Sequence, residues 1–130
     1  MGFFKKKRKM DFFDFFYIAV DKIKNGIIKI KDALTNFFSH VLKWMNEVID
    51  TLALKLRKPI LGVTHFLRKK GDKYQEITKN YYLEEEIGEW NEVTVTNDLA
   101  KEDVPPEYLT LSEEFEINDT EKIAAEIILN

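Results

Sequence analysis

Apolar residues recur along the first half of the chain with steps of four and three: Phe16, Val20, Ile23, Ile27, Ile30, Leu34, Phe37, Val41, Trp44 and Val48. This is the seam of a helix whose inward positions repeat every 3.5 residues. Asn25, Asp32, Ser39 and Asn46 fall opposite the seam, as a solvent-facing ridge requires. The row beside the seam changes character along its length, from Lys24 and Lys31 to Phe38, Met45 and Leu52. The apolar stripe is therefore narrow at first, suiting one partner helix, and wide later, suiting a sheet or several elements. The second half is expected to lie on the rest of the chain, and the first half to find its partner elsewhere.

Asn25-Gly26 interrupts the pattern. Glycine inside a helix costs about 1 kcal/mol against alanine, and Asn-Gly is a common turn pair. Either one helix runs through or two helices divide there, and the unbroken seam favours continuity. Pro59 ends the region, because it disfavours helix at Lys58.

From Ile60 the period shortens to two. Residues 60–69 predict a strand, and Gly71-Asp72 a turn. The next strand places Tyr74, Glu76, Thr78, Asn80 and Tyr82 on one side, with Gln75, Ile77, Lys79, Tyr81 and Leu83 on the other. After Gly88, Val93 and Val95 alternate with Trp90, Thr94 and Thr96 in a third strand. Pro105-Pro106 excludes strand and mid-helix structure there and allows a single turn after the prolines, and Leu111 to Asp119 offers a short edge strand. Asp119 or Thr120 caps a final helix docked by Ile123, Ile127 and Ile128. The expected fold is α+β: a long N-terminal amphipathic helix (or helix pair), then a three- to four-stranded antiparallel β-meander and a short C-terminal helix. The expected division is a basic tail over 1–10, an amphipathic helical region over 11–58, and a small antiparallel β domain with an acidic C-terminal part over 59–130.

The net charge of −3 conceals two opposed halves. Up to Tyr81 there are eighteen Lys/Arg against eight Asp/Glu, or +10, and from Tyr82 two against fifteen, or −13. Such halves bind each other or meet oppositely charged partners. No uncharged run reaches the ~18–20 residues of a membrane span. Asp11, Asp14 and Asp21 break the apolar region that a signal peptide needs, and Lys6 stands where a myristoylation motif wants Ser or Thr. The absence of cysteine excludes disulfides and thiolate metal sites and fits the cytoplasm.

Candidate chemistry is sparse. His40 and His65 have no nearby histidine or cysteine, so no metal is expected. Ser39 and His40 are helix neighbours whose side chains diverge, which excludes a nucleophile–base pair. Glu84, Glu85 and Glu86 sit at a turn, too solvated to split into acid and base. No glycine-rich phosphate loop occurs. Tyr74, Tyr81, Tyr82 and Trp90 lack the positive surroundings of a base-stacking platform, and nucleic acid is not favoured as a partner. No enzyme activity, catalytic residue or cofactor is expected.

The function these patterns suggest is a non-enzymatic interaction or assembly module. Phe12, Phe13, Phe16, Val20, Ile23, Ile27 and Ile30 would contact a second copy or a partner's helices. One alternative is a peripheral membrane protein, with Lys5, Lys6, Lys7, Arg8 and Lys9 on an anionic surface and the first helix in the interface. Another is an acidic inhibitor or immunity-type protein whose carboxylates mimic nucleic acid.

Overall fold

The computed structural model describes residues 2–8, 16–29, 35–84, 86–111 and 113–130. Its elements are β1 (Gly2–Arg8), β2 (Ile18–Ala19), α1 (Val20–Asn25), β3 (Gly26–Ile28), α2 (Thr35–Leu56), β4 (Gly62–Lys70), β5 (Lys73–Glu84), β6 (Glu89–Leu99), α3 (Pro106–Leu109), β7 (Phe115–Asn118), α4 (Thr120–Glu126) and β8 (Ile127–Leu129), with a 3-10 turn at Lys101–Asp103. The fold is α+β with antiparallel sheets.

The expected meander is present as β4, β5 and β6. Gly71, at a φ of 61°, makes the tight turn that pairs Lys70 with Lys73. The sheet is wider than the meander, however. Its order is β1-β6-β5-β4-β2, and β7 shares the outer edge of β4 with β2. The segment expected as a basic tail supplies β1, running antiparallel to β6 with Lys6 opposite Glu92. The basic N-terminal segment thus pairs with a strand of the acidic half.

The principal helix, α2, lies across the sheet face carrying Val63, His65, Leu67, Tyr74, Tyr82, Val93 and Val95. Its wide stripe does what the sequence pattern requires: Phe37, Phe38, Val41, Trp44, Met45, Val48, Ile49 and Leu52 are all buried. Burying an aliphatic or aromatic side chain of this size is worth about 1.5–3 kcal/mol, so this face contributes substantially to the stability of the fold. On the opposite face of the sheet, Tyr17 meets Tyr81 edge-on with ring centroids 6.5 Å apart, beside Trp90.

Neither the continuous helix favoured across Asn25-Gly26 nor a long helix starting at Ile27 forms. Helix α1 stops at Asn25, and Gly26 turns extended, with φ −88° and ψ 154°. The chain then pairs with its own C-terminal segment: Ile27 opposes Ile128, and Ile28 opposes Ile127. A Cβ at Gly26 would collide with the Ile127 side chain and the Lys22 carbonyl, so the glycine is a close-approach site. Ile28 packs on the core and Ile27 points outward, the reverse of the helical expectation. Asn46, expected on the solvent ridge, donates instead to the Ile23 carbonyl at 3.2 Å and ties α1 to α2. The final helix is also shorter than expected. It ends at Glu126, and Ile128 lies on a strand rather than docking a helix.

Two stability changes follow. Gly26→Ala should destabilise the protein by roughly 1–3 kcal/mol in urea unfolding, because a backbone carbonyl blocks the added methyl. Arg57, just past α2, holds a left-handed φ of 55°. Arg57→Gly should therefore raise stability by about 1 kcal/mol, seen as a higher urea midpoint with an unchanged slope.

Candidate functional site

Two features stand out from the fold: a buried network of imidazoles and carboxylates, and an exposed apolar ribbon.

The turn at Gly71 fixes the register that sets Leu67 opposite Glu76 and His65 opposite Thr78, all under α2. Glu76 is sealed from solvent there, as is His65. A bare carboxylate at such a position would be very costly, so its oxygens must find partners. The Glu76 Oε1 accepts from Asn97 Nδ2 at 3.4 Å, and Oε2 lies 3.2 Å from His40 Nε2 on α2. His65 Nε2 is 3.8 Å from the same Oε2, an ion-pair distance rather than a hydrogen bond. On its other side, His65 Nδ1 lies 2.6 Å from Asp119 Oδ1. The backbone reinforces this contact: the Asp119 amide donates to the His65 carbonyl at 3.2 Å, and the His65 amide to Thr120 Oγ1 at 2.9 Å. Asp119 occupies the N-cap position of α4, yet its side chain makes no capping bond, because His65 has claimed it.

The His65 imidazole is pushed up to about 9. Burial is the largest influence and pulls it down, but the charge of Asp119, the hydrogen bond to it, and Glu76 together outweigh burial. At neutral pH the group is thus an imidazolium between two carboxylates. His40 connects this interior to the surface. It lines a cleft of about 300 Å³ with Asn36, Phe37, Glu102, Asp103, Val104, Pro105 and Pro106.

The network thus links two histidines and two acidic side chains from the interior to the edge of a surface cleft. Ser39 is exposed on α2. No group of three or more His, Cys, Asp or Glu that could hold a metal ion occurs among the described residues. No helix among the described residues is long and apolar enough to cross a membrane.

The residues expected at a partner interface fall into three groups. Phe12, Phe13 and Ile30 lie outside the described residues. Ile23 is fully buried in the chain's own core and Val20 packs against it, so neither is free for a partner. Phe16 and Ile27 remain outside, at 47% and 51% exposure. Ile27 is joined by Ile128 at 44%, directly across the β3–β8 ribbon, while Leu129, at 64%, alternates to the other face opposite Gly26. Lys5, Lys6, Lys7 and Arg8 follow one another along β1, not along a tail beside an amphipathic helix, and Lys9 is outside the described residues.

Sequence reasoning missed Ile128 as a surface residue and missed the His65–Asp119 pair. The first required knowing that α4 ends early. For Glu76 there was a signal, since it shares a strand face with Tyr74 and Tyr82. Compared with protein-family models, curated proteins and solved structures, the chain matches none.

The histidine sets a pH dependence of folding. Its folded value lies above the unfolded 6.5, so the stability it confers is fully present below pH 6.5 and is lost as pH rises through about 9. Urea unfolding between pH 6.5 and 9.5 should show a loss on the order of 3 kcal/mol. Asp119→Asn should lower stability at pH 6.5 and flatten that slope.

Proposed function

We propose that the chain is a non-enzymatic interaction module that assembles through its exposed apolar front. The observation that supports this best is the pairing of Ile27 with Ile128 across a two-stranded ribbon, both about half exposed. Isolated apolar side chains on a surface are ordinary. Two isoleucines directly opposite each other on one rung form an apolar pair of the kind that contact sites use. Phe16 adds a second exposed anchor in the N-terminal segment.

The ribbon is also unguarded. On the principal sheet, the edge strand β1 carries four successive cations, Lys5 to Arg8, which discourage indiscriminate pairing. Strand β8 consists of Ile127, Ile128 and Leu129 and carries no charge. An edge left apolar beside one so heavily charged fits a surface used for recognition.

Native mass spectrometry across a concentration series tests the proposal. The wild-type chain should form multimers as concentration rises through the micromolar range. Ile27→Ser should stay monomeric with its circular dichroism unchanged, since the side chain already faces solvent. A wild-type chain that remains monomeric throughout the series would overturn assembly through this surface.

A further inference from the structure

We propose that Asn25 is a self-modifying site: the backbone amide of Gly26 closes on the Asn25 side chain and converts it to aspartate and isoaspartate, at a rate set by the pairing of β3 with β8. The inference holds whether or not the ribbon is a contact surface.

Asn25 is the only asparagine of the chain that is followed by glycine. The conversion needs no enzyme and no co-reactant except water. The Gly26 amide nitrogen attacks Asn25 Cγ, and a new N–C bond forms. The bond from Cγ to Nδ2 breaks, and Nδ2 leaves as ammonia with the proton that the amide gives up. Water then opens the cyclic imide at either carbonyl. One opening leaves aspartate. The other leaves isoaspartate, whose main chain runs through Cγ and is one methylene longer. Glycine is the favourable successor, because no Cβ hinders the approach of its nitrogen.

The structure leaves this side chain accessible but holds it out of the reactive geometry. Asn25 is exposed at the end of α1. Its Nδ2 donates to the Asp21 carbonyl at 3.0 Å, one turn back along the helix. Its own carbonyl accepts from the Asn130 amide at 3.0 Å. A helical residue holds Cγ and the next nitrogen out of the plane that the five-membered ring needs. Closure therefore requires rotation about the Cα–C bond of Asn25, which swings the carbonyl and breaks the bond to Asn130. Asn130 follows β8 directly, so this bond lasts as long as β8 lies on β3. The gate is built from short pieces. Helix α1 has six residues and no side-chain cap, and β3 and β8 have three residues each. Elements this short depend on packing for their order, and their ends open at the lowest free energies in a fold.

Isoaspartate then works against the ribbon that delayed it. Gly26 sits so close to the Ile127 side chain and the Lys22 carbonyl that no Cβ fits. An extra methylene just before it displaces that tight contact, and the new carboxylate stands at the negative end of α1. The pairing of Gly26 with Leu129 and of Ile27 with Ile128 is weakened together.

Peptide mapping by mass spectrometry tests the site, with the full chain held folded in warm, mildly alkaline buffer and a second sample held in urea. In the folded chain Asn25 should deamidate ahead of every other asparagine, mainly to isoaspartate, and roughly 10–100-fold more slowly than in urea. Ile128→Pro removes an amide from β8 and replaces a half-exposed side chain, so it should raise the folded rate about five-fold or more. Circular dichroism shows whether this variant folds. Hydrogen exchange of the wild-type Asn130 amide measures the same gate without a substitution, and its open fraction should match the folded rate divided by the rate in urea. The converted chain should melt below the unconverted one. The site is overturned if Asn25 stays intact in the folded chain after the urea sample has converted. The gate is overturned by equal rates in buffer and urea, by a folded Ile128→Pro chain no faster than wild type, or by an Asn130 open fraction that does not match. A converted chain that melts like the unconverted one overturns the effect on the ribbon.

Discussion

The contact between His65 and Asp119 holds together parts of the molecule that the chain order separates. His65 lies on β4 beneath the principal helix, and Asp119 lies where β7 passes into α4. Their 2.6 Å contact is backed by three backbone or hydroxyl bonds in the same place. The chain leads from this anchor into α4, docked on the core by Ile123 and Ala124, and then into β8, which pairs with Gly26 to Ile28 in place of a helical path. The set is only partly satisfied, since His65 Nε2 and Asp119 Oδ2 are buried without a hydrogen-bond partner, so the contact between Nδ1 and Oδ1 carries most of the compensation for burying these groups. The outward rung of Ile27 and Ile128 thus depends on a buried electrostatic contact elsewhere in the fold.

Where the sequence carried a strong period, it was legible. The stripe of α2 and the alternation of β4 to β6 depend on local spacing alone, and both elements stand close to where that spacing puts them. The break at Gly26 was not legible in the same way. Ile23, Ile27 and Ile30 satisfy a helical seam, and Ile28 satisfies a strand. What decides between them is Ile127, about a hundred residues on, packed over a glycine that leaves no room for a side chain. Short apolar runs are ambiguous in period, and a distant strand resolved this one. The expectation that the front of the chain lacks cover was accordingly too broad: Ile23 is covered by the chain itself, and Ile27 is not.

The buried network was half legible. Counting outward from a two-residue turn at Gly71-Asp72 places Glu76 opposite Leu67, on the face that Tyr74 and Tyr82 mark as interior. Asp119 gave a misleading signal, because an aspartate before a short helix is the ordinary mark of a cap. Its diversion to His65 depends on β7 lying against β4, a long-range pairing that local pattern does not encode.

The pairing of β1 with β6 joins Gly2 to Thr96 and Arg8 to Trp90. These pairs lie 82 (Arg8 to Trp90) to 94 (Gly2 to Thr96) positions apart, and closing so large a loop has an entropic cost that must be met before the strand gains anything. The earliest strand must therefore wait for the meander to be complete before it has a template. Its row of lysines takes on a second meaning in that interval. Mutual repulsion keeps the waiting segment from zipping onto its counterpart in another nascent molecule, so the cations serve the assembly of the sheet over time as well as its finished edge.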